Sequence, residues 1–167
     1  ILSLRERKER LMKKTSAKDI MDPDLTSVTE NDLVHDAVHV LYSHNLHGIH
    51  VLDDEWNLVG FFSEADVLKA AVPTYLEVLA GSSFLEDEEE LLISRFRAFG
   101  KKRVGEFMSR DLVFVEPDTD LMVVADLMIR KSVECLPVVE DGKLAGMISR
   151  EAFCEFLMEE SAGGADG

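Results

Sequence analysis

Ser63 and Asp66 lie three residues apart in the run GFFSEAD, where an apolar stretch gives way to an amphipathic one. At a helix start this spacing forms a near capping box. The serine caps backbone N–H groups left without partners, and the acid reaches back to the cap residue, together worth about 1 kcal/mol. Ser149 opens a second such stretch, with Arg150 beside it and Ala152 where an acid would stand. Five histidines raise metal chemistry. His35 and His39 have the i, i+4 spacing of helical ligands, and His44, His47 and His50 follow. Cys135 and Cys154 lack metal-ligand spacing and sit among apolar residues, as buried free thiols in a reducing compartment would. No nucleophile–base pair, phosphate-cradling glycine loop or catalytic metal constellation is recognisable, so the chain does not read as an enzyme.

The elements that must hold these residues occur twice. AKDIMDPDLTSV from Ala17 returns as VGEFMSRDLVFV from Val104, and HVLDDEWNLVGFFS from His50 returns as PVVEDGKLAGMIS from Pro137, one residue shorter. Met21 thus corresponds to Met108, Gly60 to Gly146, and Ser63 to Ser149. A supersecondary unit used twice predicts two stacked copies sharing a cleft, where a ligand would sit. Each copy reads as a short helical turn (Ala17–Met21; Val104–Met108), a strand (Thr26–Val28; Val113–Val115) and an amphipathic helix. A strand pair and a last helix follow. The first amphipathic helix carries Leu33, Val34, Ala37, Val40 and Leu41; the second carries Leu121, Val124, Ala125, Met128 and Ile129. The strand pairs are Ile49–Leu52 with Leu58–Phe62 and Leu136–Val139 with Leu144–Ile148; Asp141-Gly142 is a strong hairpin signal. Met122 and Met128 read as core, and Trp56 as a packed cap over the strands. The second copy has Met122, Asp126, Lys131, Glu134 and Pro137 at the five histidine positions, so the fold does not require the histidines and no metal site is assigned.

The fold class is therefore α/β, in the mixed α+β sense: two β-α-β-β-α repeats related by a pseudo-twofold axis, with a helical insert. The boundaries are residues 1–16 for a basic helix or linker, 17–71 for the first repeat, 72–102 for the insert, 103–159 for the second repeat and 160–167 for a disordered tail. In the insert, Pro73 ends the preceding helix, Thr74–Ala80 reads as a short helix, and Glu86–Glu90 opens another with Leu91, Leu92, Phe96 and Phe99. The insert suits a dimer contact or a flap over the cleft.

The 167 residues are 46% hydrophobic, enough for a real core, and carry a net charge of −15. Six basic residues (Arg5, Arg7, Lys8, Arg10, Lys13, Lys14) stand in the first fourteen, leaving the remainder still more acidic. Such a surface repels a phosphate backbone, which argues against nucleic-acid binding. No stretch approaches the ~20 apolar residues of a membrane span, and no signal peptide is evident, so the expected location is cytoplasmic. The chain starts at Ile1, which suits a fragment of a longer protein.

The opening DIM…DLTSV and EFM…DLVFV, the run VECLPVVEDGKLAGMIS and the run GFFSEAD together resemble a tandem CBS-domain pair, also called a Bateman module. The resemblance covers residues 17–70 and 103–158. It implies a regulatory module that requires no cofactor and binds an adenosine-containing ligand such as AMP, ADP or ATP, with S-adenosylmethionine and NAD as variants. It further implies that Ser63 contacts phosphate and Asp66 the ribose diol, with Thr26, Ser27, Leu46, Ile49 and Pro137 around the base. Ser149 and Arg150 would offer a weaker second site, because Ala152 removes the ribose anchor. His50 departs from the family pattern, standing where the second repeat has Pro137. The resemblance also implies a homodimer packed through helices. The alternative is a ligand-free dimerisation or interaction module of the same fold.

Overall fold

The computed structural model describes residues 14–72 and 88–163. The basic N-terminal segment up to Lys13, the expected helix Thr74–Ala80 and residues 164–167 lie outside the described residues. The chain divides into two compact units, one within residues 26–112 and the other made of residues up to Leu25 together with those from Val113 onward. Each unit therefore combines one repeat with the opening segment of the other.

In the 26–112 unit, β1 (Ser27–Thr29), β2 (Gly48–Leu52) and β3 (Leu58–Ser63) form a sheet in the order β1-β2-β3. β1 and β2 are parallel and β2 and β3 antiparallel. A parallel pair needs a crossover, and α2 (Val34–Ser43) supplies it. α2 follows α1, a single turn at Ala17–Ile20 in the other unit. Val34, Ala37 and Leu41 of α2 bury their side chains against Val28, Ile49, Val51 and Phe62 of the sheet. Leu33, expected on that apolar stripe, precedes the helix and is exposed. α3 (Glu64–Ala71) leaves the end of β3, and α4 (Glu88–Gly100), from the insert, packs on α2 and α3. Phe99 of α4 joins the core, and Arg95 Nε donates to the Ala71 carbonyl at 3.0 Å. A cation at a helix C-terminus is favourable, so the insert helix is part of this unit's packing.

The turn Val104–Glu106, one turn of 3-10 helix, also belongs here. Val104 N–H donates to Asp32 O and Gly105 N–H to Glu30 O, both at 2.9 Å, and Ser109 and Phe61 exchange two backbone bonds. The other unit repeats this arrangement with roles reversed. Ala17 N–H donates to Thr119 O at 2.8 Å, Lys18 N–H to Pro117 O at 2.9 Å, and Asp22 and Met147 exchange two bonds.

That second unit holds α5 (Leu121–Arg130), β4 (Cys135–Glu140), β5 (Lys143–Ser149) and α6 (Arg150–Gly163). β4 and β5 form an antiparallel hairpin. Its turn holds Asp141 and Gly142 at φ 52° and 80°, the pair of positive angles that a two-residue hairpin of this type requires. Val124 and Met128 face the core. Met122 and Ile129, expected on the inner face, are 81% and 76% exposed. Trp56, expected to cap the strands, is 63% exposed on its hairpin. Helix α6 continues through residues 160–163, which the sequence reading assigned to the tail.

The expected strand Val113–Val115 is reduced to a single parallel bridge between Val115 and Val138. Val115 N–H donates to Pro137 O and Val139 N–H to Val115 O. Two residues earlier, the parallel pattern would require an N–H from Pro137, which has none. In the first repeat His50 occupies that position, opposite Ser27 in a complete strand.

Candidate functional site

Ser63 ends β3, and the first turn of α3 places Asp66 over it. The Ser63 backbone N–H and Oγ–H both donate to Asp66 Oδ2 at 2.9 Å. The same geometry occurs in the other unit, where Ser16 N–H and Oγ–H donate to Asp19 Oδ2 at 2.8 and 3.0 Å. The capping role is therefore general, and a ligand would meet an Asp66 already oriented by it. Asp66 also borders a cavity of about 290 Å³ with Lys69, Ala70 and Phe107, which none of the other expected nucleotide residues lines.

Ser149 caps α6 with no acid. Its Oγ accepts from the Ala152 N–H at 3.0 Å. Arg150 folds back on its own unit, with Nε–H donating to Val133 O at 2.9 Å and its backbone N–H to Glu134 O at 3.0 Å. Pro137 is buried in β4 opposite Met147.

The remaining expected residues lie in the 26–112 unit with Ser63. Side chains alternate across a sheet, and here the two faces differ sharply. Val28, Ile49, Val51 and Phe62 enter the helix-covered core. Ile49, expected beside a base, thus directs its side chain into the core, and Leu46 is partly buried against the same cluster. The opposite face carries Ser27, His50 and Phe61 in register across the three strands, with Gly48 opposite Ser63. Thr26 leads into this row. A Cβ at Gly48 would collide with the Phe61 ring, which stands over the glycine and lies 5.1 Å from the His50 ring at a 58° tilt.

His50 and Phe61 were not among the expected ligand residues. The available signal was the polar residue at the centre of GIHVL, an otherwise apolar strand. His50 is 1% exposed, and neither ring nitrogen has a hydrogen-bond partner among the described residues. Burial lowers its pKa from 6.5 to about 4, so the ring is neutral near pH 7.

Among the described residues, no group of three or more His, Cys, Asp or Glu could hold a metal ion. His47 Nδ1 is 3.1 Å from Glu64 Oε2. Cys135 and Cys154 are free thiols. Burial raises Cys135 to a pKa of about 11, whereas Cys154, expected buried, is exposed. No described helix is long and apolar enough to cross a membrane.

A family model of the CBS domain matches residues 17–73 and again 104–159. The chain belongs to the CBS-domain family. Its tandem CBS repeats align with the uncharacterized protein MJ1426 of Methanocaldococcus jannaschii at 29% identity over 84% of this chain and 90% of that protein. They also align with CBSX1, a chloroplastic CBS domain-containing protein of Arabidopsis thaliana, at 32% identity over 76% of this chain and 56% of that protein. A crystal structure of CBSX2 in complex with AMP matches at 28% identity and a TM-score of 0.68, covering 87% of this chain and 98% of that one.

Proposed function

We propose that this tandem CBS pair is a non-catalytic regulatory module that binds an adenosine-containing nucleotide of the AMP, ADP or ATP type. Ser63, Asp66, Thr26 and Ser27 are its principal contacts. One observation carries the reading: the expected phosphate and ribose residues sit at the end of the same sheet whose face opposite the helix-covered core holds Ser27, His50 and Phe61. The similarity to an AMP complex of CBSX2 supports the ligand class. A carboxylate already held by its cap can accept hydrogen bonds from a ribose diol without further ordering. The α3 N-terminus offers backbone N–H groups to phosphate. Ser149, Arg150 and Pro137 provide a weaker second set, since Arg150 is engaged with backbone. Binding transmits a signal only through differential affinity for two conformations. The proposed setting is cytoplasmic, with reduced thiols.

A second reading is a ligand-free dimerisation module. The Ser16–Asp19 box supports it, because the same serine–aspartate geometry recurs at a helix start where no ligand contact is expected. Both readings include a homodimer, motivated by the exposed Met122, Val123 and Ile129 on α5 and by Leu157 and Met158 on α6.

A thermal-shift panel of AMP, ADP, ATP, S-adenosylmethionine and NAD, with and without magnesium, tests the first reading. Ligand at 100 times its Kd adds about 2.7 kcal/mol. A shift that Asp66→Ala abolishes supports the regulatory module; no shift with any compound leaves the interaction module.

A further inference from the structure

A buried polar group is retained in a core when something pairs with it, because an unpaired one destabilises the fold. His50 breaks this rule: the strand is apolar on both sides of it, the ring is 1% exposed, and both nitrogens lack partners among the described residues. The fold does not require a polar residue there, since the second repeat places Pro137 at the equivalent position of an equally buried strand. Local inconsistencies of this kind concentrate where a protein binds something.

The neighbours of His50 define what would pair with it. On one side it faces Ser27, on the other Phe61, and Ser63 lies diagonally across the β2–β3 ladder. Diagonal neighbours in an antiparallel pair are about 7–8 Å apart, a separation on the scale of a nucleoside. A molecule whose phosphate meets Ser63 and whose ribose meets Asp66 would direct its base toward His50. A neutral imidazole offers one N–H donor and one bare nitrogen acceptor. An aminopurine edge, with an exocyclic N–H and a ring nitrogen acceptor, complements either one.

We infer that His50 is a base-reading residue of the CBS pair: its imidazole hydrogen-bonds the edge of a purine base, selecting nucleosides with a donor–acceptor edge, and Phe61 is the cover that moves off Gly48 to admit the base. The inference rests on the nucleotide reading above and adds to it the residue that reads the base. The absence of a side chain on Gly48 provides the space the Phe61 ring now fills. His50 is kept at a cost in stability to the ligand-free protein. This separates it from a structural histidine, whose removal would weaken the fold.

The test uses AMP as the probe, on the intact chain and on His50→Leu and His50→Gln. Calorimetry measures AMP affinity, thermal melting measures the ligand-free protein, and nitrogen-detected NMR of the wild type follows the His50 ring during titration. The expected result is that His50→Leu melts higher than wild type without ligand and binds AMP at least tenfold more weakly. His50→Gln should recover part of the affinity, and one His50 ring nitrogen should shift on AMP addition. Unchanged affinity in His50→Leu, or an unchanged His50 ring in a wild type that binds AMP, overturns the inference and leaves the nucleotide reading standing. A wild type that binds no adenosine compound overturns both.

Discussion

The sulfur of Met21 lies 2.8 Å from the point where a Cβ on Gly146 would project. Met21 comes from the opening of the first repeat and Gly146 from the last strand of the second, yet they share a compact unit. The mirror contact is present too: Met108 lies against Gly60 in the other unit, where a Cβ would strike the same sulfur position. The two glycines correspond in the sequence repeat, as do the two methionines.

Adding a methyl group at Gly146 therefore overpacks the unit. Gly146→Ala is expected to destabilise by about 1–3 kcal/mol, read as a lower urea midpoint with unchanged slope. Combining it with Met21→Ala should recover part of that loss, since contacting residues are not additive. Additive losses in the double variant would assign the clash to the Asp22 carbonyl oxygen, 2.7 Å from the same point, and not to the methionine.

The two capping boxes separate structure from binding. Asp19→Ala and Asp66→Ala each remove a carboxylate that accepts two hydrogen bonds. Each is expected to cost about 1 kcal/mol of stability. Only Asp66→Ala should also abolish the nucleotide-induced thermal shift. Equal ligand responses in the two variants would remove Asp66 from the site.

Stability should depend on pH through His50. Its pKa is about 4 in the folded chain and 6.5 in the unfolded one. Between these values the unfolded chain holds a proton that the folded chain does not, so stability falls as pH drops from 6.5 toward 4. The total loss is roughly 3 kcal/mol, reached below the folded value. Urea unfolding at pH 7, 6, 5 and 4.5 measures it, with His50→Leu as the reference that carries every other titration. Parallel pH curves for wild type and His50→Leu would mean that the folded chain accommodates the imidazolium.

Met122→Asp and Ile129→Asp test the dimer. Both positions are exposed in the single chain, so each change should leave monomer stability within about 0.5 kcal/mol. Light scattering is expected to show a dimer for the wild type and a monomer for the double variant. A monomeric wild type would place these side chains in solvent, without a partner copy.

Much of the architecture could be read directly. The repeat announced two copies of one unit, the 3.6-residue spacing of Val34, Ala37 and Leu41 located a buried helix face, and Asp141-Gly142 marked a hairpin. These are local signals, set by backbone preference and periodic burial. The Ser63–Asp66 pair was also legible as a cap, because a cap lies within four residues of chain. Met122, Ile129 and Trp56 misled because an apolar side chain states only that burial is favourable; whether a neighbour covers it is decided elsewhere in the chain.

The repeats, the order of the elements and the family were all readable from the residues alone, since each depends on residues close together or on a pattern stated twice. The packing of Met21 on Gly146 and of Met108 on Gly60, by which each unit joins one repeat to the opening of the other, emerged from the folded chain. The tertiary structure also decided that Ile49 turns into the core while His50, without a hydrogen-bond partner among the described residues, lies on the opposite face beside Ser27 and Phe61. Strand register sets these relations by pairing residues remote in the chain, and a shift of one residue would exchange the two faces.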